Sequence, residues 1–139
     1  MRITMTKKEV TQLSYEIIGF AIKVHKELGP GLLESIYEEC LKYELESNGY
    51  DVKQQLTVKI NYFNLETKTD LKLDLLINDC VIVELKAVEN ILPIHEAQLL
   101  SYMKLLRRPQ GLLINFKTTN ITKASKPFVN EYFAMLSDE

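Results

Sequence analysis

Asp74, Glu84 and Lys86 interrupt two apolar, β-branched-rich runs, Leu73 to Ile77 and Val81 to Leu85, that are separated by Asn78-Asp79-Cys80. Folded as a hairpin, the runs pair Ile77 with Val81, Leu75 with Val83 and Leu73 with Leu85 on one face. The other face then stacks Leu76 on Ile82, Asp74 on Glu84 and Lys72 on Lys86. A one-residue slip would set Leu73 against Glu84 and Asp74 against Val83, scattering charge over both faces, so the apolar pattern selects the register. Directly opposed carboxylates destabilise a sheet, and a divalent cation between them turns that repulsion into binding. The plainer alternative is a solvated face of an edge hairpin on which Lys72 and Lys86 neutralise the acids.

One chemistry that such a metal-holding cluster could support is phosphodiester hydrolysis. That reaction needs a nucleophilic water, neutralisation of developing negative charge and protonation of the leaving oxygen. Mg2+, or Mn2+ in its place, supplies most of this when held by one or two carboxylates, waters and a phosphate oxygen. Asp74 and Glu84 are the expected metal ligands, with the backbone carbonyl of Leu85 as a further donor. Lys86 lies two residues beyond Glu84 and shares its face. Its ammonium can orient the water or stabilise transition-state charge. Gln98 and Tyr102 are one helical turn apart and share a face, which can present them to a lysine, a water or a phosphate.

The 139-residue chain, 46% apolar and 26% charged, is expected to form a single domain spanning 1–139. A net charge of −2 and a pI near 5.8 deny the whole molecule the general attraction to polyanions, so nucleic-acid contact must use a local patch. The stretch from Lys104 to Lys126 contains Lys104, Arg107, Arg108, Lys117, Lys123 and Lys126 and no acid. Lys104, Arg107 and Arg108 are therefore candidate substrate contacts, with a solvated helix end as the competing reading. Cys40 and Cys80 form neither a disulfide framework nor a zinc pattern. No run reaches membrane-spanning length and no signal-peptide pattern opens the chain, so the expectation is a cytoplasmic protein with no membrane contact.

Thr6-Lys7-Lys8-Glu9 has the form of a capping box, and Val10, Leu13, Ile17, Phe20, Ala21, Val24 and Leu28 follow it at helical spacing until Gly29-Pro30-Gly31. A second helix is predicted from about Leu32 to Ser47, burying Leu33, Ile36, Tyr37, Cys40 and Leu41 and closing at Asn48-Gly49. Val52 to Ile60 alternates as a strand, with a turn near Asn64 and the charged hairpin after it. Pro93 opens a helix whose buried side is expected to be Ala97, Leu100, Met103, Leu105 and Leu106. Gly111 to Phe116 reads as a buried strand, parallel to the hairpin's second strand because a helix connects them. Ser125 and Pro127 are expected to open a C-terminal helix carrying Phe128, Val129, Tyr132, Phe133 and Leu136.

After its first helix, this order resembles the αβββαβ core of the PD-(D/E)XK nuclease superfamily. Gly31-Leu32-Leu33-Glu34-Ser35-Ile36-Tyr37 resembles the signature of the GxxExxY protein family. Val83 to Val88 and His95 to Tyr102 resemble that family's central block, so the likeness runs in order from roughly Ile17 to Phe116. It implies an α/β (α+β) fold with a mixed central sheet flanked by helices, plus extra N-terminal and C-terminal helices. It also makes Glu34 a further metal-site carboxylate and Gln98 with Tyr102 a Q-x-x-x-Y element. Tyr37 is expected to pack, and His25 and His95 to serve structural roles. The chain departs from its relatives after Phe116, where a glycine-containing turn and a basic strand give way to Lys117-Thr118-Thr119-Asn120 and a helix-like tail. Two function classes are implied. One is a Mg2+- or Mn2+-dependent nuclease acting on DNA or RNA. The other is a catalytically silent nuclease-fold module that binds a protein or nucleic-acid partner or a further copy of itself.

Overall fold

The computed structural model describes residues 5–138. The elements in chain order are α1 (Lys7–Leu28), α2 (Glu34–Ser47), β1 (Val52–Tyr62), β2 (Leu65–Ile77), β3 (Val81–Lys86), α3 (Pro93–Leu106), β4 (Gln110–Asn115), β5 (Ser125–Val129) and α4 (Glu131–Ala134). The five strands form one sheet in sequence order. β3 and β4 are parallel, and the other neighbours are antiparallel.

The expected capping box opens α1. Thr6 Oγ1 accepts the Glu9 N–H at 3.1 Å, and the Thr6 N–H donates to Glu9 Oε1 at 3.0 Å, satisfying two donors that the first turn leaves without partners. Gly31, at φ +101°, turns the chain into α2. That helix starts at Glu34, so Leu33 is its extended N-cap and stands 71% exposed instead of buried.

Helices cover both faces of the sheet. Val10, Leu13, Ile17, Ala21 and Val24 of α1 and Tyr37, Leu41 and Leu45 of α2 pack on Leu75, Ile77, Val81, Val83, Leu85, Leu112 and Ile114. Leu99 and Met103 of α3 pack on Leu73, Leu76, Ile82 and Leu113. The apolar runs of β3 and β4 follow from this, since strands covered on both faces need no polar alternation. A Cβ on Gly111 would meet Met103 Sδ at 2.7 Å and Leu99 Cδ1 at 2.9 Å, so glycine lets α3 lie directly on β4.

Two expectations need correction. In α3 the fully buried side chains are Leu99 and Met103, whereas Leu100 and Leu105 are 40% and 49% exposed and Ala97 is also exposed. Leucine occurs on most sides of this helix, so sequence period alone misjudged its phase. The predicted C-terminal helix is replaced by β5, which pairs Leu112 with Pro127 and Gly111 with Phe128. Pro127 is tolerated because β5 is the sheet's edge. Helix is confined to α4, where Asn130 Oδ1 accepts the Tyr132 and Phe133 N–H groups at 3.1 and 3.3 Å.

Candidate active site

The site lies where the sheet forks. The anticipated register holds for Ile77–Val81, Leu76–Ile82 and Leu75–Val83, and the β2–β3 ladder then stops. Side chains replace the missing rungs. The Asp74 N–H donates to Glu84 Oε2 at 2.8 Å, and the Leu85 N–H donates to Asp74 Oδ2 at 2.9 Å. On the other flank of β2, Gln54 pairs with Leu75 and Leu56 with Leu73, but the intervening Gln55–Asp74 pair is absent and Gln55 has φ +49°. Left-handed backbone at a non-glycine residue inside a strand is strained and needs support from its surroundings.

The disruption shifts the side-chain phase of β2. Leu75 and Ile77 face α1 and α2, while Leu76 and also Leu73 face α3. The expected Leu73–Leu85 pair on one face is therefore corrected, because Leu85 stays on the α1–α2 side. Strict alternation holds only up to the fork.

Four carboxylates converge on this opening. Glu84, 6% exposed, is pushed up to about 8, first by burial and then by the charge of Asp74, against the lowering effect of the Asp74 N–H and Lys86. Glu34, in the first turn of α2, is raised by burial and next by Asp74, while Lys86 and the Ala87 N–H oppose the shift. Glu38, one turn further along α2, is 5% exposed and is also raised, chiefly by burial. Tyr102 reaches the same field from α3, its phenol raised by burial and then by Glu84 and Asp74. Lys86 is half-buried and forms no ion pair among the described residues, which leaves its ammonium available to a substrate.

Surrounding residues fix these groups. Asn115, buried at the end of β4, accepts the Val88 N–H at 3.1 Å and donates to the Val88 carbonyl at 2.8 Å, while the Phe116 N–H donates to the Lys86 carbonyl at 2.8 Å. Together they pin the segment carrying Lys86. Tyr37 stacks on Phe116 with ring centroids 4.5 Å apart. Its hydroxyl donates to the Gly29 carbonyl at 2.5 Å and accepts the Leu32 N–H at 3.1 Å. Tyr37 is thus a packing residue, as expected, and it ties down the turn that launches Glu34.

Of the residues singled out from sequence, Asp74, Glu84, the Leu85 backbone, Lys86, Glu34 and Tyr102 come together. Gln98 is exposed one turn from Tyr102 and makes no side-chain hydrogen bond to the described residues. The basic group does not join them. Arg108 is 8% exposed and pairs with Asp79 at 2.8 Å, in the turn that precedes β3, at the opposite end of that strand from Lys86. A buried, ion-paired guanidinium is not a free substrate contact. Lys104 and Arg107 are exposed near the same end, whereas Lys117 and Lys126 are paired with Glu89 and Glu96 at 2.6 and 3.0 Å. His25 and His95 are structural: the His25 ring bonds the Thr118 carbonyl at 2.8 Å, and His95 Nδ1 accepts the Leu92 N–H at 3.0 Å. Sequence reasoning missed Glu38, Gln55 and Asn115. Glu38 had one available signal, its four-residue spacing from Glu34 on the same helix face.

Among the described residues, no three or more His, Cys, Asp or Glu side chains are disposed as a ready metal cage. The expected set of Asp74, Glu84, the Leu85 carbonyl and Glu34 is accordingly not preassembled, since backbone N–H groups occupy one oxygen each of Asp74 and Glu84. The all-oxygen chemistry of the set still fits a hard cation that keeps most of its waters and needs only one or two carboxylates.

A mixed sheet forked between an acid-bearing β2 and a Glu-x-Lys β3, with helices on both faces, defines a nuclease-like protein. The chain belongs to the PD-(D/E)XK nuclease superfamily, whose family profile matches residues 11–127. Enzymes of this superfamily generally use divalent metal ions. No curated protein and no solved structure matches the chain significantly. No helix among the described residues is long and apolar enough to cross a membrane.

Proposed function

We propose that the protein is a Mg2+- or Mn2+-dependent nuclease that hydrolyses phosphodiester bonds of DNA or RNA at the β2–β3 fork. The observation that carries this reading is the convergence of Asp74 and Glu84, each bonded to the other strand, beside a Lys86 ammonium with no ion-pair partner among the described residues. Asp74 and Glu84 would hold the cation, with the Leu85 carbonyl and Glu34 as further donors. When bound, the cation supplies an activated water and neutralises phosphate charge.

The chain's own groups do the rest. Lys86 orients the attacking water and stabilises the charge that develops on the phosphate oxygens. The clamp of Asn115 on Val88 fixes the backbone just beyond Lys86. Tyr102 and the exposed Gln98 offer hydrogen bonds to substrate from α3, and Lys104 near the end of that helix and Arg107 just past it, away from the fork, add longer-range attraction to a polyanion. The overall negative charge, the lack of a preassembled cage and the burial of Arg108 favour the second reading, a catalytically silent nuclease-fold module.

Cleavage of labelled single- and double-stranded DNA and RNA with Mg2+ or Mn2+, beside Lys86→Ala, separates the two. Activity that requires metal and is lost in Lys86→Ala supports the nuclease. Activity that survives the substitution unchanged indicates a contaminant and leaves the silent module.

A further inference from the structure

Gln54 and Gln55 are consecutive residues of β1, so regular alternation would send their side chains to opposite faces. Both nevertheless reach one carboxylate. Gln54 Nε2 donates to Glu38 Oε2 at 2.7 Å, and Gln55 Nε2 donates to Glu38 Oε1 and Oε2 at 3.0 and 3.2 Å. This convergence is possible because Gln55 adopts φ +49° and leaves the ladder. From there its amide also reaches Asp74 Oδ1 at 3.3 Å, while Asp74 Oδ2 takes the Leu85 N–H at 2.9 Å. Glu38 itself is 5% exposed on α2, an element that the sheet rearrangement does not disturb.

We infer that Glu38 is a positioning residue that holds the β1 kink open through Gln55 and so aims Asp74 across the fork at β3. Without it, the left-handed backbone at Gln55 keeps only the long amide contact to Asp74 Oδ1 at 3.3 Å and loses both bonds to α2. The ladder can then close with Gln55 opposite Asp74, the partner that the flanking pairs dictate, and Asp74 turns towards β1. This inference rests on the nuclease reading only where it concerns the metal. The strand geometry stands on the metal-free protein.

The test measures amide hydrogen exchange residue by residue in the intact protein with EDTA, together with Mn2+ affinity by electron paramagnetic resonance. Glu38→Ala should speed exchange at Leu85 by about tenfold or more while leaving Val83, in the intact ladder, unchanged. It should also weaken Mn2+ binding by about the same factor. Glu38→Gln retains one of the two acceptor oxygens and should lose less than Glu38→Ala in both readouts. Adding Gln55→Gly to Glu38→Ala should recover both readouts, because glycine holds positive φ without support. Gln55→Ala, at an exposed position, should reproduce the local loss even if Glu38→Ala fails to fold. Unchanged Leu85 exchange in folded Glu38→Ala or in Gln55→Ala would overturn the inference. Wild-type protein that takes up no Mn2+ would instead sink the metal-dependent reading, and the exchange result would stand apart from it.

Discussion

Replacing Glu84 by glutamine tests the electrostatics of the fork without disturbing its shape, because the amide oxygen still accepts the Asp74 N–H. In the folded protein the Glu84 carboxyl moves from 4.5 to about 8 through burial and the neighbouring Asp74. Below pH 4.5 the folded and unfolded chains both carry this proton, and its burial has no charge cost. Between pH 4.5 and about 8 the unfolded chain has released the proton while the folded chain retains it, so stability falls as pH rises. Each tenfold change in proton affinity is worth about 1.4 kcal/mol, which sets a ceiling of about 5 kcal/mol for this group. Water entering the open fork and the nearby Lys86 reduce that cost, and we expect about 2 kcal/mol. Glu34 and Glu38 are raised in the same sense, so the variant keeps a shallower decline. Urea unfolding in EDTA from pH 5 to pH 8.5 should therefore give a steeper loss for wild type than for Glu84→Gln, with the variant the more stable at the alkaline end. Saturating Mn2+ should narrow the gap, since the ion binds the ionised folded form. Parallel wild-type and variant curves in EDTA would refute the reasoning.

Asp74→Asn keeps an acceptor for the Leu85 N–H, so it should fold normally yet lose the Mn2+-induced rise in melting temperature that wild type displays; an equal rise in both would place the ion elsewhere. Lys86→Ala should retain that rise while losing most turnover, as followed by calorimetry and by cleavage of one substrate at fixed salt. Tyr37→Phe leaves the Leu32 N–H and the Gly29 carbonyl without their partner and should cost about 1 to 2 kcal/mol in urea unfolding. Arg108→Ala strands the partly buried Asp79 carboxylate and should destabilise by about 2 kcal/mol, whereas the joint substitution of Lys104 and Arg107 should leave stability alone and flatten the salt dependence of substrate binding.

The features legible from sequence were those set by local period and strong punctuation. The capping box at Thr6, the glycine stop after Leu28, Pro93 at the start of α3 and the parallel entry of β4 all rest on short-range chemistry. The charged hairpin was legible for the same reason, because a one-residue slip would set Asp74 and Glu84 against apolar residues, which leaves the register that holds from Leu75–Val83 to Ile77–Val81. Alternation failed at Asp74, where the phase change depends on Gln55 and on Glu38 from a helix sixteen or more residues away. No periodicity carries that information. Arg108 was misread because Asp79, its partner, lies 29 residues earlier in a turn that only the folded sheet brings near. The β5 segment was misread because Ser-x-Pro serves a helix start and an edge strand equally well, and only the open edge of β4 decides between them.

The same fork accounts for the crowding of carboxylates in this region and for the chemistry proposed there. A continuous β2–β3 ladder would have consumed the Leu85 N–H in backbone pairing and left Asp74 and Glu84 as repelling neighbours on one surface. Opening the ladder gives each carboxylate a backbone donor from the other strand and lets α2 bring Glu34 and Glu38 to the gap. The rearrangement ends the β2–β3 ladder at Leu75–Val83, removes the Gln55–Asp74 pair and leaves a left-handed residue in β1, and it concentrates negative charge where burial penalises it most. A proton on Glu84 relieves part of that penalty, and a divalent cation held at the proposed site would do the same. The two would compete for the same oxygens, so the metal affinity proposed for the fork should rise with pH as Glu84 gives up its proton.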